Sequence, residues 1–413
     1  MLFSSFFPSL GYYSCRRPSR ITCFHLKEDV VPVVKDILIR ALESMIHRSV
    51  LTPEEADFSA VRSVLVIRQH DMLGDFLLAT PVFRALRNRF PGARIGVLVR
   101  DYFADTVAGN PFVDEILVLQ KGSRRWNPRQ MMTLLQQLHK RWDLTVVLNT
   151  VSHSLSSDLL AELSGGRLLL GSAHRVLPGA SRNFFYNLLA PYSTTTVHQT
   201  ERNLDIVRYI GAQTGDLTEC MYVQDAERRD ALETLRQCGM REEMLRIALH
   251  VGAGKVANRW PVARFAQLAQ LLHDRLGAQI ILFWGPNETN LAEEFCRLIT
   301  FVPVKVNPAD LRHLAACFTQ CSLLVCNDTG VMHVCAAVGV PLVAVFGPTP
   351  PDQWKPIGDS FVAVLGAGGT VHGVEADSVF ARVATLLLQS RLNGNSPAMV
   401  SSSNQEGRRY EHT

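Results

Sequence analysis

Two series of apolar, β-branched runs, each spaced by helical segments, constrain this chain most. The first series is Val64–Ile67, Ile95–Val99, Glu115–Leu119, Leu144–Leu148 and Leu168–Leu170, with helical patterns at Val82–Phe90 and Gln130–Leu138. A charged, helical stretch, Gly211–Arg246, interrupts the alternation. It resumes at Ile247–Val251, Gln279–Trp284, Leu323–Cys326, Leu342–Phe346 and Val362–Leu365, with helices at Pro261–Leu276, Leu291–Ile299 and Val331–Val338. Runs that stay apolar throughout belong to strands buried on both faces, which means parallel sheets covered by helices. Two such series predict an α/β chain of two Rossmann-like domains. At roughly 150 residues per domain, a chain of 413 has room for both.

The expected divisions are a leader over 1–32, a first domain over 33–225, a second over 226–392 and a disordered tail over 393–413. Helical spacing in Val33–Ile46 predicts an extra helix packed on the first domain, with a surface helix touching lipid as the other reading. The opening "MLFSSFFPSLGYYSCRRPSR" carries its charge after its apolar part, the wrong order for a secretory signal. It reads as an unstructured leader or an overlong start, with a transit peptide as the alternative. No apolar run approaches the ~18 residues of a membrane span. A net charge of +4 without a dense basic run gives no footing for nucleic acid. Nine cysteines lacking any C-x-x-C pair suit reduced thiols in the cytoplasm.

In open parallel sheets ligands gather outside the carboxyl ends of the strands. "RQHDMLGDFLLATP", Arg68–Pro81, follows the first strand. Its helix has two possible starts. Gly74-Asp75 can cap it directly, in which case Pro81 must kink it. Alternatively Thr80 is the N-cap and Pro81 the first helical residue, leaving Asp75 free of capping.

A second constellation is "CNDTGVMHVCAAVGVPLVAVFGPTPPDQW", Cys326–Trp354. A strand ends in Asn327-Asp328-Thr329-Gly330 and a small-residue helix opens. Its first N–H groups form a phosphate site that needs no metal, with His333 in reach of a phosphate or ribose oxygen. The competing reading is that Asp328 and Thr329 only cap the helix and His333 is a turn residue. The loop Gly252-Ala-Gly-Lys-Val-Ala-Asn-Arg259 offers two glycines with Lys255 and Arg259. It lacks the third glycine of a dinucleotide fingerprint and is no Walker loop.

Together these motifs resemble glycosyltransferase family nine, the ADP-heptose:lipopolysaccharide heptosyltransferases and their relatives, over roughly Val61 to Leu388. "GDFLLATPVFRALRNRFPGARIGVLV" is similar to the family's amino-terminal signature, "NDTGVMHVCAAVGVPLVAVFGPTPP" to its carboxyl-terminal one, and Trp260-Pro261 to the Trp-Pro after its glycine loop. The resemblance implies a GT-B fold, acceptor on the first half and nucleotide sugar on the second. It implies inverting transfer without a metal or other cofactor, in keeping with the missing D-x-D. Asp75 corresponds to the base. Lys255, Arg259, Glu288, Asp328, Thr329, Gly330 and His333 fall on the donor side; Arg68, His70 and Gly74 fall on the acceptor side. The implied partners are a nucleotide sugar, ADP-linked by the resemblance, and a glycan or glycolipid such as lipopolysaccharide core, with no nucleic acid. The implied place is the cytoplasm, with a peripheral contact at the inner membrane as an option.

Two departures stand out. Asn258 replaces a lysine frequent in the family two places before the tryptophan, and the Arg68–Asp75 spacing is one residue longer. They leave open a UDP-, GDP- or dTDP-sugar donor, another acceptor, or a non-catalytic sugar-nucleotide-binding protein. A nicotinamide-dependent oxidoreductase would need G-x-G-x-x-G and a later acid, which the chain lacks. Other GT-B enzymes, such as sugar-nucleotide epimerases, complete the alternatives.

Overall fold

The structure is a computed structural model describing residues 27–46, 48–69, 72–120, 128–139, 142–150, 154–174 and 176–392. The expectations for residues 1–26 of the leader, for the tail 393–413 and for His70 lie outside these residues.

Within the described residues the strands are β1 (Ser63–Ile67), β2 (Arg94–Arg100), β3 (Glu115–Leu119), β4 (Leu144–Val147), β5 (Leu168–Ser172), β6 (Leu188–Ala190), β7 (Arg246–His250), β8 (Gln279–Phe283), β9 (Val304–Val306), β10 (Leu323–Asn327), β11 (Leu342–Phe346) and β12 (Phe361–Leu365). They form two six-stranded sheets, ordered β3-β2-β1-β4-β5-β6 and β12-β11-β10-β7-β8-β9. Every pairing is parallel. Both sheets therefore carry the same doubly wound order, and each reverses direction between its first and fourth strands, at β1/β4 and β7/β10. The expected α/β architecture of two Rossmann-like halves is the one found. The sequence pattern misses β6 and β9, three residues each and too short to stand out as apolar runs.

Alternate residues of each strand enter opposite cores, as the pleat requires. Val64 and Val66 pack with Phe76, Phe83 and Phe103. Leu65 and Ile67 face the other way, among Trp142, Tyr186 and Ile39. In the second sheet Ala248, Ile281 and Leu324 join one core, while Ile247, Leu249 and Val325 join the other. Each fully buried Val, Leu or Ile side chain among them is worth roughly 1.5–3 kcal/mol over exposure, so both sheets are firm supports for the loops at their ends.

The first helix spans Lys27–Met45, so it begins inside the stretch 1–32 expected to be leader, and its later part lies against the first half. Ile39 is buried in the core with Leu42 and Ile46 against it, and Glu43 accepts the Ser181 backbone N–H at 3.1 Å. No helix among the described residues is long and apolar enough to cross a membrane.

Candidate active site

Beyond β1 the chain enters a short helix, Leu73–Leu77, turns, and begins a second helix, Pro81–Arg89, with proline at its first position. The start at Thr80-Pro81 is found; the earlier helix has its N-cap at Met72, with Gly74 and Asp75 inside its first turn instead of at the cap position, and proline's missing N–H explains the break between the two. The expectation that a start at Pro81 frees Asp75 from capping is corrected: Asp75 Oδ2 accepts the Met72 backbone N–H at 3.2 Å. Its carboxylate remains partly exposed.

Arg68 was expected to face the acceptor, but only 2% of it is exposed. Its guanidinium donates to the Leu148 carbonyl at 2.9 Å, Asn203 Oδ1 at 3.0 Å and the Asp75 carbonyl at 3.1 Å. A buried cation needs such acceptors. Arg68 thus supports the Asp75 loop from behind.

In the second half, Asn327 ends β10 and clamps the glycine loop. It donates to the carbonyls of Val251 (3.1 Å) and Gly252 (3.0 Å) and accepts the Trp260 N–H at 2.9 Å. Gly252 is glycine because a Cβ there would lie 1.8 Å from Glu288 Oε1, whereas Gly254 faces open space. Glu288 accepts from the Gly285 N–H at 2.8 Å and from His250 Nε2 at 3.1 Å. Burial pushes the Glu288 carboxyl up, but His250, the Gly285 N–H and Arg259 outweigh it and leave it lowered. Arg259 is tied to the Ala253 carbonyl at 2.7 Å, and Lys255 is exposed at the loop tip.

The helix Gly330–Ala337 opens directly from β10. Its N-cap, Thr329, makes no side-chain capping bond. Asp328 is not a cap either: its Oδ2 accepts from Asn258 Nδ2 at 2.7 Å. Burial raises the Asp328 carboxyl, against opposing pulls from Thr349, His333 and Lys255. The first-turn N–H groups are thus left unclaimed by Thr329 and Asp328, as a phosphate site requires.

The two halves meet across these elements. A Cβ on Gly330 would sit 3.1 Å from Leu73 Cβ, and a Cβ on Gly74 only 2.6 Å from His333 Cδ2 and 2.8 Å from its Nε2. Glycine at both positions lets the helix after β1 dock on the helix after β10. His333 is itself 4% exposed, and its Nδ1 lies 2.8 Å from Glu219 Oε1. Burial would lower the His333 pKa, but Glu219, Asp328 and Asp75 outweigh it and raise it.

Asp75, Gly74, Asp328, Thr329, Gly330 and His333 are therefore gathered at one seam, with Lys255, Arg259 and Glu288 on the adjoining loops. Sequence reasoning missed Asn327, His250 and Glu219. Asn327 was readable only as part of the Asn-Asp-Thr-Gly motif, and Glu219 lies in the irregular connection, where no periodicity marks it. Among the described residues no three His, Cys, Asp or Glu side chains cluster as a metal site.

The family model described as glycosyltransferase family 9 (heptosyltransferase) matches residues 131–383, more than half of the chain. A putative glycosyltransferase of Haemophilus influenzae is 24% identical over 72% of this chain and 87% of its own length. Lipopolysaccharide heptosyltransferase 2 of Escherichia coli is 26% identical over 69% of this chain and 83% of its own length. Among solved structures, a family 9 glycosyl transferase of Veillonella parvula aligns with a TM-score of 0.67, at 22% identity, over 80% of this chain and 98% of that one. The ADP-heptose LPS heptosyltransferase II of E. coli aligns with a TM-score of 0.64, at 24% identity, over 80% and 99%. These likenesses agree with the GT-B arrangement of two Rossmann-like halves. On the family match, the chain belongs to glycosyltransferase family 9 and is a glycosyltransferase.

Proposed function

We propose that this enzyme moves a heptose-like sugar from an ADP-linked donor to a lipopolysaccharide core or similar glycan, with inversion and without a metal. The observation that carries the reading is the close approach of Gly74 to His333, which sets the Asp75 carboxylate beside the opening of the Gly330–Ala337 helix. In this reading Asp75 takes the proton of an acceptor hydroxyl as that oxygen bonds to the anomeric carbon. The bond from that carbon to the diphosphate breaks on the opposite face, and its electron pair leaves with the diphosphate. The N–H groups after Thr329, with Lys255 and His333, stabilise the departing charge. The names of the E. coli relatives supply the donor and acceptor class.

On the first half, a hollow at the carboxyl ends of β4, β5 and β6 is lined by Asn149, Ser172, His174, Tyr192 and Arg202. His174 stacks on Tyr192 with centroids 4.0 Å apart. We assign the acceptor glycan to this side. The seven described cysteines are free, in keeping with a cytoplasmic enzyme. Ile37, Leu38 and Met45 stay exposed on the first helix, where a peripheral contact with the inner membrane would form.

Asn258 favours one second reading, a different nucleotide sugar, because its amide occupies Asp328 and lies 3.3 Å from Thr349 Oγ1. Thermal-shift screening of ADP-, GDP-, UDP- and dTDP-sugars separates the two, since a ligand selective for the fold raises its melting point. The anomer formed, read by NMR, and turnover in EDTA test the rest. A retained anomer, or activity lost to EDTA and restored by Mg²⁺, overturns the mechanism. Asn258→Lys should tighten ADP more than adenosine.

A further inference from the structure

The segment joining the two halves is fastened to both. Arg84 of the first half donates to the Asp216 carbonyl at 2.5 Å. The Cys220 N–H donates to Thr80 Oγ1 at 2.9 Å, and the Met221 N–H to the Ala337 carbonyl of the second half at 3.0 Å. Between these ties the chain turns Glu219 inward. Its side chain is 1% exposed, with Oε1 on His333 Nδ1 and Oε2 buried without a hydrogen-bond partner among the described residues. A buried carboxylate with one oxygen unmatched is costly unless a positive charge stands against it; burial pushes the Glu219 carboxyl up, and His333 is the group that pulls it back.

The opposite edge of the imidazole lies against Gly74. Among the described residues no hydrogen bond engages Nε2, so a ring whose Nδ1–H is committed to Glu219 has its second nitrogen left for something else. Building on the proposed function, we infer that Glu219 is a positioning residue: it holds the His333 ring so that Nε2–H serves the diphosphate of a bound nucleotide. The connecting segment thereby takes part in building the leaving-group site. The charged and titratable groups that act on this ring are Glu219 from the connection, Asp75 from the helix after β1, Asp328 from the turn after β10 and His198 from the helix Gln199–Arg208. Three carboxylates against one histidine favour the imidazolium, which has both N–H donors. A neutral ring donating to Glu219 would present only a lone pair at Nε2, a poor match for phosphate oxygen.

Glu219→Gln keeps a hydrogen-bond acceptor and deletes the charge. The His333 ring is followed by NMR on histidine-labelled protein, with its signal assigned by loss in His333→Asn. Binding of ADP and of adenosine is measured by calorimetry between pH 6 and pH 9. In Glu219→Gln the His333 titration midpoint should fall by about one pH unit or more. ADP affinity at pH 8 should fall about tenfold while adenosine affinity holds. Glu219→Asp, which retains the charge, should recover part of both, and it also serves as the test if the Gln variant fails to fold by circular dichroism. An unmoved His333 midpoint, or equal losses for ADP and adenosine, overturns the inference. If the wild type binds no adenine nucleotide, the ADP-linked donor is wrong; the same binding series then uses whichever nucleoside diphosphate and nucleoside the thermal-shift screen selects, and the titration arm still decides the positioning role.

Discussion

Arg68 Nη2 donates to the main-chain carbonyl of Asp75 at 3.1 Å. The same guanidinium holds Asn203 and the Leu148 carbonyl, so one buried fork ties the helix after β1 to the end of β4. A lysine cannot span three acceptors in this geometry. Arg68→Lys should lower kcat about tenfold or more through a loosened loop, while nucleotide affinity changes little. Unchanged kcat in a folded variant would remove Arg68 from loop positioning.

Asp75→Asn separates chemistry from capping. The amide oxygen can still accept the Met72 N–H, so the melting temperature should move little. Turnover should fall about a hundredfold or more, the usual scale for losing a general base. Near-normal turnover would take Asp75 out of the mechanism.

Gly330→Ala tests why glycine stands there. Its φ is not among the positive values, so the strain comes from Leu73, 3.1 Å from the added carbon. Overpacking of this kind costs about 1–3 kcal/mol, read as a lower denaturation midpoint. Trimming the neighbour, Leu73→Ala, should relieve part of that cost in the double variant. Additive losses from the two changes would mean the contact is not the cause.

His198 gives the seam an acid sensitivity. Its Nδ1 accepts the Thr200 N–H at 3.2 Å, and its Nε2 meets the Lys355 carbonyl of the other half at 2.8 Å. Burial lowers its pKa, against a smaller upward pull from the Lys355 carbonyl. Between the depressed folded value and the unfolded value near 6.5 the unfolded chain binds more protons, so stability rises with pH there. The contribution is whole above about 6.5 and is lost as pH falls through the folded value. Melting curves from pH 5 to pH 8 should show this slope in the wild type and a shallower one in His198→Asn. Equal slopes would assign the acid loss to other groups.

Much of the fold was legible because the longer strands announce themselves locally, as the three-residue β6 and β9 do not. β1 and β3 stand out as apolar runs, and the helix that opens at Gly330 follows a recognisable Asn-Asp-Thr-Gly. The site was legible in its parts but not in their reasons. Gly252 was read as one of two glycines in the loop of Lys255 and Arg259, yet Glu288, far along the chain, fills the place of its side chain. Arg68 was placed on the acceptor side because nothing in its neighbours in sequence reveals that Leu148 and Asn203 hold it. Glu219 gave no signal at all, since its partner His333 is 114 residues away. Periodicity reports what a residue does within its own element; contacts that cross from one element to another leave no such trace.

The seam in space does not coincide with any cut in the sequence. Leu77 follows β1, yet it is fully buried in a core shared with Met332 and Val334 of the second half and with Met221 of the connecting segment. A fragment stopping before residue 225 would bare Leu77 to water, at a cost of roughly 1.5–3 kcal/mol for such a side chain, and its complement would carry a hole of matching shape. Neither piece is therefore a self-sufficient module to be swapped between enzymes. Produced together, the two fragments have reason to recombine, which makes this chain a candidate for split-enzyme reconstitution, with sugar transfer returning only when the pieces find each other.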